Sequence, residues 1–347
     1  MNTVLVVGSG VAGLQASVDL AELGYEVLLV EKEDELGGHL RNLGQISPGQ
    51  HSAPELLSSY IGRIKDKDNI TVLKNAEILE FKGNFPKFQA LVKANGKKTN
   101  FNVNAVILAT GLQAYDPSVL ELYGYGKLKD VITSLELGRM MKDGKLVKPS
   151  NMKCPESVAI IQCVGSRYFH NNEYCSDFCC NNSIKLAQLI RTKHPNVAVS
   201  IFHIDMRTPF KGELEYREAR SIGVRFPRGK PARIREDNGV LTIQVEDTLE
   251  NDLIYCPFDL VVLSVGGVPD STVKSLKSIL NVDLLDSGFF ALDERTLSTK
   301  VKGIFVAGAA GGPKDIAYST VQGSCAAAKV HICLRAVKHA IEIAEKN

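Results

Sequence analysis

The sequence predicts an α/β fold in which one β-α-β domain is inserted into another. A strand, a glycine-rich turn, a helix and a second strand follow one another from Val4 to Glu31. A second strand–turn–helix pattern begins near Ser157, and an apolar strand between Gly303 and Gly308 returns near the C-terminus. Such alternation of short aliphatic strands and helices is typical of parallel sheets covered by helices.

Composition limits the classes of function. The chain has 347 residues, which is enough for two domains at about 150 residues each. Its 44% apolar and 23% charged residues are ordinary for a globular protein. The net charge of +2 provides no overall field for nucleic acid or anionic membranes. Since we find no long apolar run and no signal-peptide pattern, we expect a cytoplasmic protein with no nucleic acid partner and no membrane insertion.

The first β-α-β segment carries the pattern of a dinucleotide-binding site. Gly8 allows a tight turn after the strand, Gly10 lets the backbone approach a pyrophosphate, and Gly13 lets the helix pack closely on the strand. Exposed N–H groups at the helix start favour phosphate oxygens. The second strand ends at Glu31, whose carboxylate suits ribose hydroxyls and would repel a 2′-phosphate.

A second glycine pair, Gly37-Gly38, indicates FAD rather than NAD in this site. Together with the Ala-Thr-Gly turn after the strand at 105–108 and the strand ending at Gly308, it resembles the two-dinucleotide-binding-domain flavoproteins. In that family an Asp after the last glycine binds the flavin ribityl chain. This chain has Ala309 there, so the usual contact is in doubt, and Asp315 either replaces it or caps the next helix.

The FAD signatures lie at both ends of the chain, so the middle must be an insertion. We expect an FAD-binding domain from residues 1–112 and 276–347, and an inserted NAD-domain-like module at 113–275 whose first part, 115–149, is irregular. The residues expected to bind FAD are Gly8, Gly10, Val11, Ala12, Gly13, Glu31, Lys32, Gly38, His39, Leu40, Ala109, Thr110, Gly111, Gly308, Ala309, Lys314, Asp315, Ile316 and Ser319.

The inserted module has cysteines where a nicotinamide cofactor would require glycines. Only Gly165 fits the glycine pattern after its first strand, which disfavours NAD(P)H binding. Instead, Cys163, Cys175, Cys179 and Cys180 form a C-x11-C-x3-C-C pattern. Four thiolates suit either a tetrahedral zinc or a [4Fe–4S] cluster.

The adjacent pair Cys179-Cys180 favours the cluster, because neighbouring cysteines can bind different irons more readily than one zinc. A redox-active disulfide or persulfide, a structural zinc site and inert thiols stay open as alternatives. We expect no disulfide framework in a reducing compartment. The other four cysteines are expected to be inert: Cys154, Cys256, Cys325 and Cys333.

Three segments together resemble the A subunit of heterodisulfide reductase and its bacterial relatives: 154–167, 174–180 and 308–316. The resemblance covers essentially the whole chain and implies FAD, a [4Fe–4S] cluster on the four cysteines, and electron transfer within a larger complex. No ferredoxin-like C-x-x-C-x-x-C run occurs, which makes the chain similar to the short A-like subunit of sulfur-oxidising heterodisulfide-reductase-like complexes. The implied partners are a second copy, B- and C-like subunits, and a lipoate-binding carrier protein.

Other functions remain open from the sequence. The chain also resembles the A subunit of the quinone-interacting oxidoreductase of sulfate reducers. An NAD(P)H-dependent flavin disulfide reductase would use the region of Cys179 and Cys180 as a dithiol, and a scaffold would bind FAD only structurally.

Lys185 is expected either to reach the flavin or to be solvated. The apolar stripe of the last helix, from Val330 to Ile341, is expected to pack on the core or in a dimer.

Overall fold

The computed structural model describes residues 2–46, 51–168, 172–209 and 211–344. Its strands are β1 Thr3–Val7, β2 Glu26–Val30, β3 Gln45–Ile46, β4 His51–Ser52, β5 Ile70–Leu73, β6 Ala76–Asn84, β7 Lys87–Ala94, β8 Lys97–Val103, β9 Ala105–Leu108, β10 Leu112–Ala114, β11 Val131–Thr133, β12 Ser157–Val164, β13 Ala198–Phe202, β14 Arg233–Asp237, β15 Val240–Asp247, β16 Asp252–Phe258, β17 Leu260–Val265, β18 Gly267–Pro269 and β19 Ile304–Val306. Its helices are α1 Val11–Glu22, α2 Ala53–Lys65, α3 Ser134–Lys142, α4 Cys179–Lys193, α5 Gly212–Ser221, α6 Val273–Leu280 and α7 Ile316–Ala344.

The chain divides into two compact units. Unit 1 consists of Met1–Arg41, Glu55–Gln113 and Val268–Asn347, and unit 2 of Asn42–Pro54 and Ala114–Gly267. Both contain a parallel sheet with helices, so the predicted α/β fold class is confirmed. Within the described ranges, no helix is long and apolar enough to cross a bilayer.

Unit 1 is built on a parallel sheet in the order β19-β9-β1-β2-β5. In β1, Val4 pairs with Val27 of β2 and with Ala105 of β9, and the β1 side chains from Val4 to Val6 are fully buried. Strands β6, β7 and β8 form a separate antiparallel sheet. Because β1, β9 and β19 are parallel neighbours, the turns that follow them lie along one edge of the sheet.

Unit 2 contains a parallel sheet in the order β11-β17-β12-β13 and an antiparallel sheet of β14, β15 and β16. Its core includes Ile160 from β12, Ile184 from α4 and Val262 from β17, all fully buried. The pairing of β12 with β17 shifts register between Ile161 and Val164. This irregularity lies where β12 presents Cys163.

Two details differ from the sequence analysis. The region 115–149 is not irregular throughout, because it contains β11 and α3. Thr133 and Glu136 form a reciprocal capping box at the start of α3, a signal that was present in the sequence. The stripe of α7 packs on the core only in its first part, since Val330 and Leu334 are buried whereas Ile341 is 51% exposed. The apolar stripe of α7 therefore continues past the part of the helix that packs on the core.

Candidate functional site

The three glycines after β1 have different surroundings. Gly8 adopts φ +99°, and a Cβ there would lie 2.5 Å from the carbonyl oxygen of Ala109. A Cβ on Gly13 would lie 1.9 Å from the carbonyl oxygen of Gly8. A Cβ on Gly10 would meet no atom within 4 Å. The fold itself thus requires Gly8 and Gly13, whereas Gly10 leaves a space.

That space lies at the N-terminus of α1. Gly10 is the residue that precedes the helix, and no side chain caps it there. The first-turn N–H groups, beginning at Val11, are therefore available to an anion. Gly38 approaches from the other side, because a Cβ on it would lie 3.2 Å from the Gly10 Cα. This glycine-lined cradle fits the pyrophosphate of a dinucleotide.

Glu31 is buried at the end of β2 and is held by three donors. One carboxylate oxygen accepts the backbone N–H of Ser9 at 2.8 Å and the Ser9 hydroxyl. The other oxygen accepts the N–H of Glu33 at 2.9 Å. A carboxylate has about four acceptor positions, so a position remains for a ribose hydroxyl. Ser9 is a site residue that the motif had not indicated, although its place between Gly8 and Gly10 was visible.

Lys32 binds within unit 1 rather than extending freely. Its Nζ lies 2.8 Å from Oδ2 of Asp270, whose side chain is 5% exposed. Burial raises the pKa of Asp270, but hydrogen bonds from Lys32 and Thr272 outweigh burial and leave that pKa lowered. The lysine therefore has a structural partner that no sequence motif indicated.

The turn after β9 contains a buried hydroxyl without a partner. Among the described residues, Thr110 Oγ1 has no hydrogen-bond partner, and an added Cβ at Gly111 would meet nothing within 4 Å. Ala109, just before, is buried against the turn at Gly8. An orphaned buried hydroxyl beside open space fits a site that binds a polar ligand.

The C-terminal segment of unit 1 reaches the same helix N-terminus. Gly308 has φ +66°, and a Cβ on it would lie 2.7 Å from the Cβ of Ala12. Its N–H donates to Oε1 of Gln322 at 3.0 Å. Ser319 is buried beside it, and Ala309 continues the same turn. The structure therefore brings the segment around Gly308 to the start of α1.

Asp315 caps α7. Its Oδ1 accepts the N–H of Tyr318 at 2.7 Å, and the helix begins at Ile316. This is one of the two roles considered for Asp315, and it leaves the side chain engaged with the helix. Lys314 lies nearby, with its Nζ 3.5 Å from the carbonyl oxygen of Gly312.

The remaining predicted residues border this region. His39 Nε2 lies 2.8 Å from the carbonyl oxygen of Leu112, which ties the turn that begins at Gly38 to the second segment of unit 1. Leu40 is 2% exposed and contributes packing.

The four predicted ligand cysteines lie in unit 2. Cys163 is the penultimate residue of β12 and has a positive φ of +59°. Cys179 and Cys180 begin α4, and Cys175 lies in the turn before that helix. The first three are buried, and Cys175 is partly exposed. Each of the buried cysteines interacts electrostatically with Cys175, so the fold gathers all four thiols.

Backbone N–H groups point at two of these sulfurs. The N–H of Asp177 donates to Cys175 Sγ at 3.4 Å, and the N–H of Arg207 donates to Cys180 Sγ at 3.4 Å. Such donors stabilise thiolates and the negative charge of a metal cluster. Arg207 lies in the loop after β13, far from the cysteines in sequence, and no motif indicated it.

Burial disfavours free thiolates here. Burial raises the pKa of Cys163, outweighing the nearby positive charges of Arg167 and Lys230, which lower it. Burial also raises the pKa of Cys180 to about 11. The pKa of Cys179 is raised well above its usual range by burial and by the other three cysteines. Buried thiols such as these three ionise together only when a cation compensates their charge, so the donor set has the chemistry of a metal centre.

The spacing bears on which metal centre fits. Among the described residues, no three His, Cys, Asp or Glu side chains are close enough to bind one metal ion. Four thiolates on one zinc would lie about 3.8 Å apart, given Zn–S bonds of about 2.3 Å. A cubane binds each thiolate to a different iron and accepts a wider arrangement. As they are arranged, the described residues therefore do not form a single-ion site.

The space beside Gly165 is occupied by protein. A Cβ on Gly165 would lie 2.1 Å from the ring of Tyr115. In a nicotinamide-binding site the backbone after the first strand must approach the pyrophosphate. The Tyr115 ring covers the single glycine that remained of that pattern.

Lys185 on α4 is buried rather than solvated. Its Nζ donates to the carbonyl oxygen of Gln45 at 2.8 Å, and burial lowers its pKa to about 8. The expectation of a solvated lysine is therefore wrong, because the apolar period of α4 turns this position inward.

Comparisons with known proteins find several similar chains. A sequence model of the family described as "Pyridine nucleotide-disulphide oxidoreductase" matches residues 2–161. One iron-sulfur A subunit of the CoB–CoM heterodisulfide reductase of Methanopyrus kandleri is 35% identical, over 97% of this chain and 65% of the relative. The A subunit of the H2:CoB-CoM heterodisulfide,ferredoxin reductase of Methanothermobacter marburgensis is 30% identical, over 98% of this chain and 64% of the relative. The chain thus spans just under two thirds of the length of these relatives.

Solved structures show the same fold. The thioredoxin reductase of Lactococcus lactis matches with a TM-score of 0.65 and 18% identity, covering 96% of this chain and 99% of that one. The thioredoxin reductase of T. acidophilum matches with a TM-score of 0.64 and 18% identity, covering 95% and 98%. At this identity the similarity supports the architecture alone.

Proposed function

Since the chain is homologous over nearly its whole length to the A subunits of heterodisulfide reductases, we propose that it is an oxidoreductase subunit that binds FAD in unit 1 and a [4Fe–4S] cluster in unit 2. The observation that carries the proposal is the grouping of the three buried cysteines Cys163, Cys179 and Cys180 with the partly exposed Cys175. Bound FAD supplies two-electron chemistry and a cluster supplies one-electron transfer.

The residues of unit 1 would position the flavin nucleotide. The N–H groups of Val11 and Ala12 would bind the pyrophosphate, with Gly10 and Gly38 leaving room for it. Glu31, fixed by Ser9, would accept a ribose hydroxyl. Thr110 Oγ1, which lacks a protein partner in the described structure, would bond the cofactor.

Partner subunits would carry out the substrate chemistry. We propose a homodimer that associates with B- and C-like subunits and a lipoate-binding carrier protein in the cytoplasm, in the oxidation of a sulfur compound. The support for these partners is the resemblance to the short A-like subunits. An alternative with the same cofactors is the A subunit of a quinone-interacting oxidoreductase, and a membrane quinone-reactive subunit encoded beside this chain would favour it.

The first experiment measures cofactor content. The full chain, purified without oxygen, should contain about four irons and about one FAD per chain. Replacing Cys163, Cys179 or Cys180 by Ser should remove most of the iron. The matched control is Cys256→Ser, which changes a partly buried cysteine of the same unit on β16.

A disulfide reductase that uses Cys179 and Cys180 as a dithiol is the rival, and the name of the matched family favours it. A reactive dithiol needs a lowered thiol pKa, whereas burial raises the pKa of both thiols here. A yellow, iron-free protein whose flavin is reduced by NAD(P)H would contradict the proposed function and support this rival. Flavin and iron that no chemical or protein donor can reduce would instead indicate a scaffold.

A further inference from the structure

An ion pair, Arg167 with Asp205, lies beside the proposed cluster site. The positively charged Arg167 guanidinium lies close enough to Cys163 to act on its thiol electrostatically. The same guanidinium forms a two-pronged ion pair with Asp205, in which Nη2 lies 3.2 Å from Oδ2. The Arg167 side chain is 18% exposed, and its backbone has a positive φ of +55°. A positive φ in a non-glycine residue is uncommon, and here it accompanies the sharp turn after β12.

The loop that holds Asp205 also contacts a second ligand. The Arg207 N–H donates to Cys180 Sγ at 3.4 Å, and Arg207 Nε lies 3.7 Å from Asp205 Oδ1. Residues 205–207 are therefore connected to two of the four cysteines, to one through Arg167 and to the other directly. These two connections place the charges of Arg167 and Asp205 close to the four cysteines.

We propose that the Arg167–Asp205 pair sets the reduction potential of the cluster, with Arg167 as a positioning residue whose charge favours the reduced state. This inference rests on the proposed cluster. Reduction adds a negative charge to the cluster. A nearby cation stabilises that charge more strongly when it is partly buried than when it is fully solvated. Asp205 is negatively charged and is paired with this guanidinium, so it partly cancels the effect of the positive charge on the potential. The two side chains therefore act on the potential in opposite directions.

The test compares midpoint potentials from redox titrations followed by electron paramagnetic resonance. Arg167→Gln should lower the cluster potential, by about 59 mV for a tenfold shift of a one-electron equilibrium. Asp205→Asn should raise it, because the guanidinium charge is then no longer balanced. Arg167→Lys should remain close to the unaltered protein, because the charge is kept.

The matched control is Arg217→Gln. Arg217 pairs with Glu213 on α5 in the same unit, and its side chain is 73% exposed. This change removes the same charge at a strongly exposed position, where solvent and salt screen it, and should leave the potential unchanged. Variants are compared at equal iron content, and Asp205→Asn carries the test if Arg167→Gln binds less iron.

The outcomes separate the two proposals. Absence of iron from the unaltered, anaerobically purified chain contradicts the proposed function. A normal cluster whose potential is unmoved, or moves in the same direction in Arg167→Gln and Asp205→Asn, overturns the inference about the ion pair. A fall in potential of equal size in Arg167→Lys and Arg167→Gln also overturns it, because charge would then not be the cause.

Discussion

Gly10 and Gly13 lie three residues apart in one motif, yet their structural requirements differ. Gly10→Ala places a methyl group in open space at an ordinary negative φ, so we expect a change in unfolding free energy within about 0.5 kcal/mol. The same methyl would stand where the pyrophosphate should lie, so FAD affinity should fall at least about tenfold, or about 1.4 kcal/mol. Flavin titration and urea unfolding of the FAD-free chain measure the two effects.

Two controls define the result. Gly13→Ala would place a Cβ against the Gly8 carbonyl, so it should destabilise the FAD-free chain by about 1–3 kcal/mol. Gly62→Ala, in α2, meets no atom within 4 Å and should leave FAD affinity unchanged. Unchanged FAD affinity in Gly10→Ala would show that this space is not the pyrophosphate site.

Lys185 should give unit 2 a distinct dependence of stability on pH. Burial lowers its pKa to about 8 from an ordinary value of 10.5. Below pH 8 the lysine is charged in both states, so the folded state bears the full penalty of burying the charge. Between pH 8 and 10.5 the folded chain has lost the proton while the unfolded chain still binds it, so stability rises with pH.

The measurement compares the unaltered chain with Lys185→Met by urea unfolding from pH 7 to 10. Relative to the variant, the unaltered chain should gain on the order of 1–3 kcal/mol across this range. The difference between the two unfolding free energies cancels the contribution of the buried cysteines. Their raised pKa values make stability fall as the pH rises, which is opposite to the effect of Lys185. Lys193→Met, at an exposed position of the same helix, should show no such gain. Parallel curves for Lys185→Met and the unaltered chain would refute the prediction.

At the scale of single residues, the sequence indicated candidate site residues better than it indicated which residues they contact. Glu31 and the four cysteines follow from spacing. Ser9 could have been found, since it lies between two motif glycines. Asp270, the partner of Lys32, and Asp205, the partner of Arg167, come from distant parts of the chain. Spacing along the sequence carries no information about contacts of that kind.

Among the elements, α7 depends on a cap that also lies near the expected flavin site. Asp315 accepts the Tyr318 N–H, as an N-cap residue does. We expect Asp315→Ala to lower the unfolding free energy by about 1 kcal/mol. Asp315→Asn should keep both stability and FAD affinity, because Asn also caps helices. Thermal unfolding and flavin titration test this, and loss of FAD affinity in Asp315→Asn at unchanged stability would assign the carboxylate to the flavin instead.

Helix α3 shows why one element was missed. The loop-like composition of 115–149 concealed a helix of nine residues. Its capping box, Thr133 with Glu136, satisfies two backbone N–H groups that the short helix would otherwise leave exposed. The local signal existed, but burial of Leu137 and Met141 against unit 2 is what makes so short a helix stable.

For the whole molecule, the two units should respond to different cofactors. A ligand stabilises the unit that binds it by about 2.7 kcal/mol at a concentration of 100 times its dissociation constant. FAD should therefore slow proteolysis of unit 1, and iron removal by an anaerobic chelator should speed proteolysis of unit 2. Mass spectrometry of the early fragments assigns each cut to a unit. If iron removal left cleavage within 114–267 unchanged, the cysteine site would not be holding iron.

The sequence by itself determined the fold class, the glycine motif at the start of α1 and the four-cysteine pattern, because these depend on residue type at short spacing. Only the tertiary structure decided that Gly10 faces space while Gly13 faces backbone, that Lys185 is buried, and that Arg167 lies between Cys163 and Asp205. Parallel strand order brings the turns after β1, β9 and β19 to one edge, and the loop after β13 to the cysteines. Contacts between segments so far apart arise from packing, which no local pattern encodes.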